Sequence, residues 1–106
     1  MAVTKSKTIL AYDSANDELN ITCVLETDGQ AVVAAMTSCA LTVYNGETGA
    51  TLFSVADGSF TKAATGLCYA TKATPGMVAG VPYIARATIV SGGNTYISDS
   101  LFAGVG

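Results

Sequence analysis

Residues 81–90 read VPYIARATIV, and their reading decides the fold. Tyr83, Ala85, Ala87 and Ile89 fall on one side of a strict alternation. Ile84, Arg86, Thr88 and Val90 fall on the other. A period of two is the signature of a strand, whose successive side chains point to opposite faces. Ser91-Gly92-Gly93-Asn94 follows as a hairpin loop, and residues 95–102 (TYISDSLF) return as its partner.

The same grammar extends outward. Leu19, Ile21, Cys23 and Leu25 alternate with Asn20, Thr22, Val24 and Glu26, and Asp28-Gly29 closes the run as a turn. Leu41 and Val43 alternate with Thr42 and Tyr44, followed by Asn45-Gly46 and Thr48-Gly49. Residues 51–55 (TLFSV) end at Asp57-Gly58, and residues 66–71 (GLCYAT) precede Pro75-Gly76. Residues 8–12 supply one more strand. About seven strands with turn signals every ~8–12 residues predict an all-β sandwich. Residues 31–36 (AVVAAM) are rich in helix-favouring alanine, but six residues are too few for an independent helix, so an extended segment is expected. The expected organisation is an arm over residues 1–7, one sandwich domain over 8–103, and a loose tail.

Composition narrows the function. The 106 residues are 50% hydrophobic and only 12% charged, with a net charge of −3. The charged fraction is about half the usual ~25%. High hydrophobicity with low net charge excludes disorder. Mild acidity argues against duplex binding, which needs clustered Lys and Arg, whereas Lys5, Lys7, Lys62, Lys72 and Arg86 are scattered. There is no His, the commonest general base and metal ligand, and no Trp. Behind Lys5 and Lys7 the apolar run Ile9-Leu10-Ala11 is too short for a signal peptide, and no stretch reaches the ~18 apolar residues of a membrane span. A protein made and kept in the cytoplasm, or assembled there into something larger, is expected.

Candidate sites are few. The eight carboxylates, Asp13, Asp17, Glu18, Glu26, Asp28, Glu47, Asp57 and Asp99, include no marked catalytic pair and read as solvated surface. Asp13, Asn16, Asp17 and Glu18 offer oxygens at short spacing, as calcium requires, but lack the EF-hand pattern and read as an Asx-rich turn. Cys23, Cys39 and Cys68 form no C-x-x-C, so zinc is not expected. They read as small buried hydrophobes, or as a disulfide within or between chains. Cys68 beside Tyr69 has no base to activate it and is not read as a nucleophile. Tyr12, Tyr44, Tyr69 and Tyr96 are candidates for sheet packing or for an interface, with Tyr44 expected on the outer face of its strand. Lys5 and Lys7 are candidates for fastening the arm to an acidic partner. No metal, cofactor or catalytic residue is expected.

From Leu19 to Phe102 the chain resembles bacterial and phage immunoglobulin-like β-sandwich modules. The resemblance runs through DGQAVVAA (28–35), LTVYNGETG (41–49), DGSFT (57–61), GLCYAT (66–71) and GVPYIARAT (80–88). It implies that Tyr83 makes the tyrosine corner near the start of strand F, with Ala85 where a true immunoglobulin domain has its second cysteine. Cys23 falls at the strand B position, and there is no core Trp. Strands B and E share one sheet in this fold, which implies a Cys23–Cys68 contact and leaves Cys39 to bond another chain. The whole chain is most similar to a small tailed-bacteriophage virion protein of the head decoration type. That resemblance implies a non-enzymatic partner of the major capsid protein or other virion proteins, homo-oligomeric on the lattice, with no nucleic acid or membrane bound. A carbohydrate-binding or adhesion module, or a small baseplate or fibre attachment protein, is the alternative. On either reading the scarcity of charge becomes a property of the surface, because a sandwich of ~100 residues buries only one face of each sheet.

Overall fold

The structure is a computed structural model and describes residues 4–27, 30–31, 37–64 and 66–102. Its strands are β1 (Thr4–Asp13), β2 (Glu18–Thr27), β3 (Gln30–Ala31), β4 (Ser38–Asn45), β5 (Thr51–Val55), β6 (Thr61–Ala64), β7 (Leu67–Ala73), β8 (Tyr83–Ser91) and β9 (Asn94–Phe102). One 3-10 turn (Asp57–Ser59) joins β5 to β6. Sheet A has the order β1-β2-β7-β6, with the two-residue β3 also pairing β2. Sheet B has the order β5-β4-β8-β9. All pairings are antiparallel. The result is an all-β, β-sandwich-like fold. Among the described residues no helix is long and apolar enough to cross a membrane.

The alternation explains how the sheets close on one core. Leu19, Ile21, Cys23 and Leu25 of β2 face Leu41 and Val43 of β4 and Tyr83, Ala85, Ala87 and Ile89 of β8, all buried in one cluster. Ala85 and Ala87 leave room for the larger aliphatic side chains opposite, as close packing requires. Deleting one such Leu or Ile side chain costs about 2–5 kcal/mol.

Turn chemistry fixes the registers. Ser91 pairs Asn94 across Gly92 and Gly93, whose φ angles are 58° and 79°. Two consecutive left-handed residues make the type I′ turn that matches strand twist, and glycine adopts that conformation at little cost. Between β4 and β5 the Asn45 side chain accepts the amides of Glu47 (2.8 Å) and Thr48 (3.2 Å). Between β1 and β2 the Asp13 carboxylate accepts from the Ala15 amide at 3.0 Å and the Asn16 side chain at 2.7 Å. The Asx-rich loop therefore holds itself together.

Three differences from the expected layout stand out. Among the described residues eight strands and the short β3 are present where about seven were expected. The addition is β6, four residues (TKAA) with no apolar alternation to announce it. Thr4 to Lys7 are no arm: they are the first part of β1, in register with Val24 to Thr27. Their alternation is polar on both sides, so hydropathy hid them. The 28–29 turn and residues 32–36 lie outside the described residues.

Candidate functional site

The cysteines come first, because the structure corrects their expected pairing. Cys39 of β4 and Cys68 of β7 form a disulfide that bridges sheet B to sheet A. Cys23 is the free thiol and is fully buried. Cys23 and Cys68 are opposite each other in the ladder, as the shared sheet implied. Side chains on neighbouring strands stand side by side, however, whereas those of facing sheets meet end to end across the core. Cys39 is fully buried and is not placed to bond another chain. Burial pushes the Cys23 thiol above its ordinary pKa, partly offset by the Thr8 hydroxyl 3.9 Å away. A raised pKa leaves little thiolate for nucleophilic work.

Tyr83 is buried at the start of β8, and its hydroxyl accepts the Val78 amide at 2.7 Å. That bond pins the connection entering β8. A second clamp lies nearby, where the Gly46 amide donates to the Pro82 carbonyl at 2.8 Å. A Cβ at Gly46 would stand 3.0 Å from that carbonyl oxygen, so a larger residue there would have to push the Pro82 backbone back by a few tenths of an ångström.

Sequence reasoning missed Asp57. Its carboxylate accepts the Cys39 amide at 2.9 Å and pairs with Lys62 at 2.8 Å. Lys62, and secondarily the Cys39 amide, hold its carboxyl below the usual aspartate range. The D-G turn signal was legible, but the bond back to β4, eighteen residues away in sequence, was not.

The surface residues separate. Tyr96 does not sit on an outer face: it pairs with buried Ile89 and packs against the core. Tyr44 shares the outer face of sheet B with Thr42, as alternation predicted. Tyr12 packs against the core and donates its hydroxyl to Asp17 at 2.6 Å. Tyr69 is exposed on the outer face of sheet A, level with exposed Ile9. Lys5 and Lys7 are exposed on β1 and line a cleft of about 420 Å³ between β1 and β9. There the Ser100 hydroxyl donates to the Thr8 carbonyl at 3.2 Å, while the buried Ser6 and Ser98 hydroxyls have no hydrogen-bond partner among the described residues.

The outer face of sheet B is the most distinctive surface. Its register lays side chains in rows across the strands. One row is Leu101, Ile84, Tyr44; the next is Asp99, Arg86, Thr42, Ser54; the third is Ile97, Thr88, Ala40. Ile97 is 63% exposed and Leu101 75% exposed. The only charges on these rows pair with each other in a two-pronged contact, Arg86 Nε to Asp99 Oδ1 at 2.8 Å and Arg86 Nη2 to Asp99 Oδ2 at 3.1 Å. Arg86 accordingly holds the Asp99 carboxyl below its usual range. Such a face can bury apolar surface against a partner without stranding an unpaired charge. No protein-family model matches the chain, and no curated protein or solved structure matches it significantly.

Proposed function

We propose that the chain is a structural virion protein of the capsid-decoration type, which works by binding a lattice and carries no chemistry. The observation that carries this reading is the outer face of sheet B, where Ile97 and Leu101 stand exposed around a single self-satisfied ion pair. Interface cores are depleted in charge and tolerate polar groups that are already paired. The finer fold belongs to the same proposal. The orders β1-β2-β7-β6 and β5-β4-β8-β9 correspond to A-B-E-D and C′-C-F-G of an immunoglobulin-like sandwich. The Tyr83 bond to the Val78 amide supports the tyrosine corner. Lys5 and Lys7, held in β1, offer two ordered cations to an acidic lattice surface.

Mass spectrometry of purified virions is the test. The chain is expected at a copy number comparable to the capsid subunits, and its absence from intact particles overturns the reading. A second reading is favoured by one observation, the exposed Tyr69 on sheet A, level with Ile9 across Thr22. An aromatic ring on a sheet face suits sugar stacking. Binding on a glycan array that vanishes in Tyr69→Ala would move the assignment to a carbohydrate-binding module.

A further inference from the structure

We propose that the outer face of sheet B is where two copies of this chain meet, face to face about a twofold axis parallel to the strands. The ladder supplies the first argument. Rotation about such an axis keeps each residue's level along the strands and reverses the order across them. Each row then lies on the same row of the second copy. In the first row Ile84 and Tyr44 of one copy lie over Tyr44 and Ile84 of the other, with Leu101 over Thr51 of β5, and in the third Thr88 lies over Ala40. The Asp99–Arg86 ion pair meets the Thr42 and Ser54 hydroxyls, which stand 3.3 Å from each other and can each donate and accept. Apolar groups meet at the two central Ile84–Tyr44 contacts and polar groups meet around the ion pair, which is the self-complementarity a twofold interface demands.

Charge supplies the second argument. The chain carries −3, yet this face sums to zero, since Arg86 cancels Asp99. Two like-charged copies repel least through the face that has no net charge. A strongly charged foreign partner would find nothing here to steer it.

Size supplies the third. Sheet B has four strands, and at ~4.8 Å per strand and ~8 residues of ~3.3 Å each the face covers about 500 Å² in plan. That is below the ~800 Å² per partner of a standard stable interface and suits a weak, concentration-dependent pairing. A paired copy has this face covered, so pairing and lattice contact through sheet B exclude each other, and the dimer leaves Lys5 and Lys7 of β1 as the groups that would face a lattice.

Sedimentation velocity on the full chain, from about 1 µM to several hundred µM, tests it. The expected result is a reversible monomer–dimer equilibrium. Ile97→Lys with Leu101→Lys should raise the dissociation constant about 100-fold. Both side chains are solvent-exposed, so circular dichroism should show the fold unchanged. Should the double variant fail to fold, Thr88→Lys, on the same row as Ile97, serves instead. Tyr69→Lys on sheet A should leave the dimer intact. A chain that stays monomeric throughout, a closed trimer, or a dimer indifferent to the sheet B substitutions overturns the proposal.

Discussion

The outer face of sheet A carries Lys5, Lys7, Asp13, Glu18 and Glu26 on alternating strand positions, with Asn20, Thr22 and the exposed Ile9 and Tyr69 among them. The outer face of sheet B carries only Arg86 and Asp99, bound to each other, among Ile84, Val90, Ile97 and Leu101. Inside, the sheets are alike: Leu19, Ile21 and Leu25 on one, Leu41, Val43 and Ile89 on the other, all fully or almost fully buried. Folding therefore makes the same demand of both sheets, and whatever separates their outer faces is not the core. A charge-rich outer face keeps a sheet in water. A charge-poor one left exposed invites association, unless association is its role.

The largest effects should be shared by the two sheets. Leu25→Ala on sheet A and Leu41→Ala on sheet B each remove a fully buried side chain, and each should cost about 2–5 kcal/mol in urea unfolding. Similar losses would sharpen the comparison by confining it to the outside. A cheap Leu41→Ala would break it, since sheet B would then be less committed to the core than its burial implies.

The bridge between the sheets comes next. Cys39→Ser severs the bond to Cys68 and opens a loop of 29 residues in sequence. The expected loss is about 3 kcal/mol. Cys23→Ser should retain the bridge, so that no free thiol titrates in the unfolded, unreduced chain. Two thiols appearing there would show that Cys39 and Cys68 are not bonded to each other. Tyr83→Phe is smaller, about 1 kcal/mol, because it removes one hydrogen bond to the amide of a residue at the surface. Its signature should be faster hydrogen exchange at Val78.

Much of this architecture is legible in sequence because strand alternation and turn residues are local. Residues 83–90 show their inward face without help, and Gly92-Gly93 announces the hairpin that follows. β6 was hidden because TKAA has no apolar alternation and is held by its pairing to β7 and by the Lys62–Asp57 ion pair. The start of β1 was hidden for the same reason, its partner being Val24 to Thr27. Cys39 was misassigned because its partner is chosen across the core, by the facing of two sheets, and no spacing along the chain records that. Tyr96 reads as an interface tyrosine until the register sets it beside Ile89. The sheet B face was half visible: alternation put Tyr44, Ile84 and Arg86 outside, but only the ladder aligns Arg86 with Asp99.

The smallest expected effect is electrostatic, and it tests whether the Arg86–Asp99 pair matters more to stability or to the surface. Asp99 is held below its usual range by Arg86, and Asp57 by Lys62 and the Cys39 amide. A carboxyl with a depressed folded pKa contributes stability that is fully present above its unfolded pKa, near ~3.9, and is lost as pH falls through the folded value. Thermal melts from neutral pH to about pH 2 should therefore show an acid limb that Asp57→Asn and Asp99→Asn each flatten slightly. Both groups are solvent-exposed and screened, so each change in melting temperature should be small and shrink further in high salt. The two variants should part company in association. Asp57 is not on the sheet B rows, and its loss should leave self-association unchanged. Asp99→Asn strands the Arg86 cation on the face, so self-association should weaken even at neutral pH, where folding stability scarcely moves. Equal behaviour of the two variants in sedimentation would mean that the ion pair is a stability device like Asp57–Lys62, and that the neutrality of the face plays no part in what it binds.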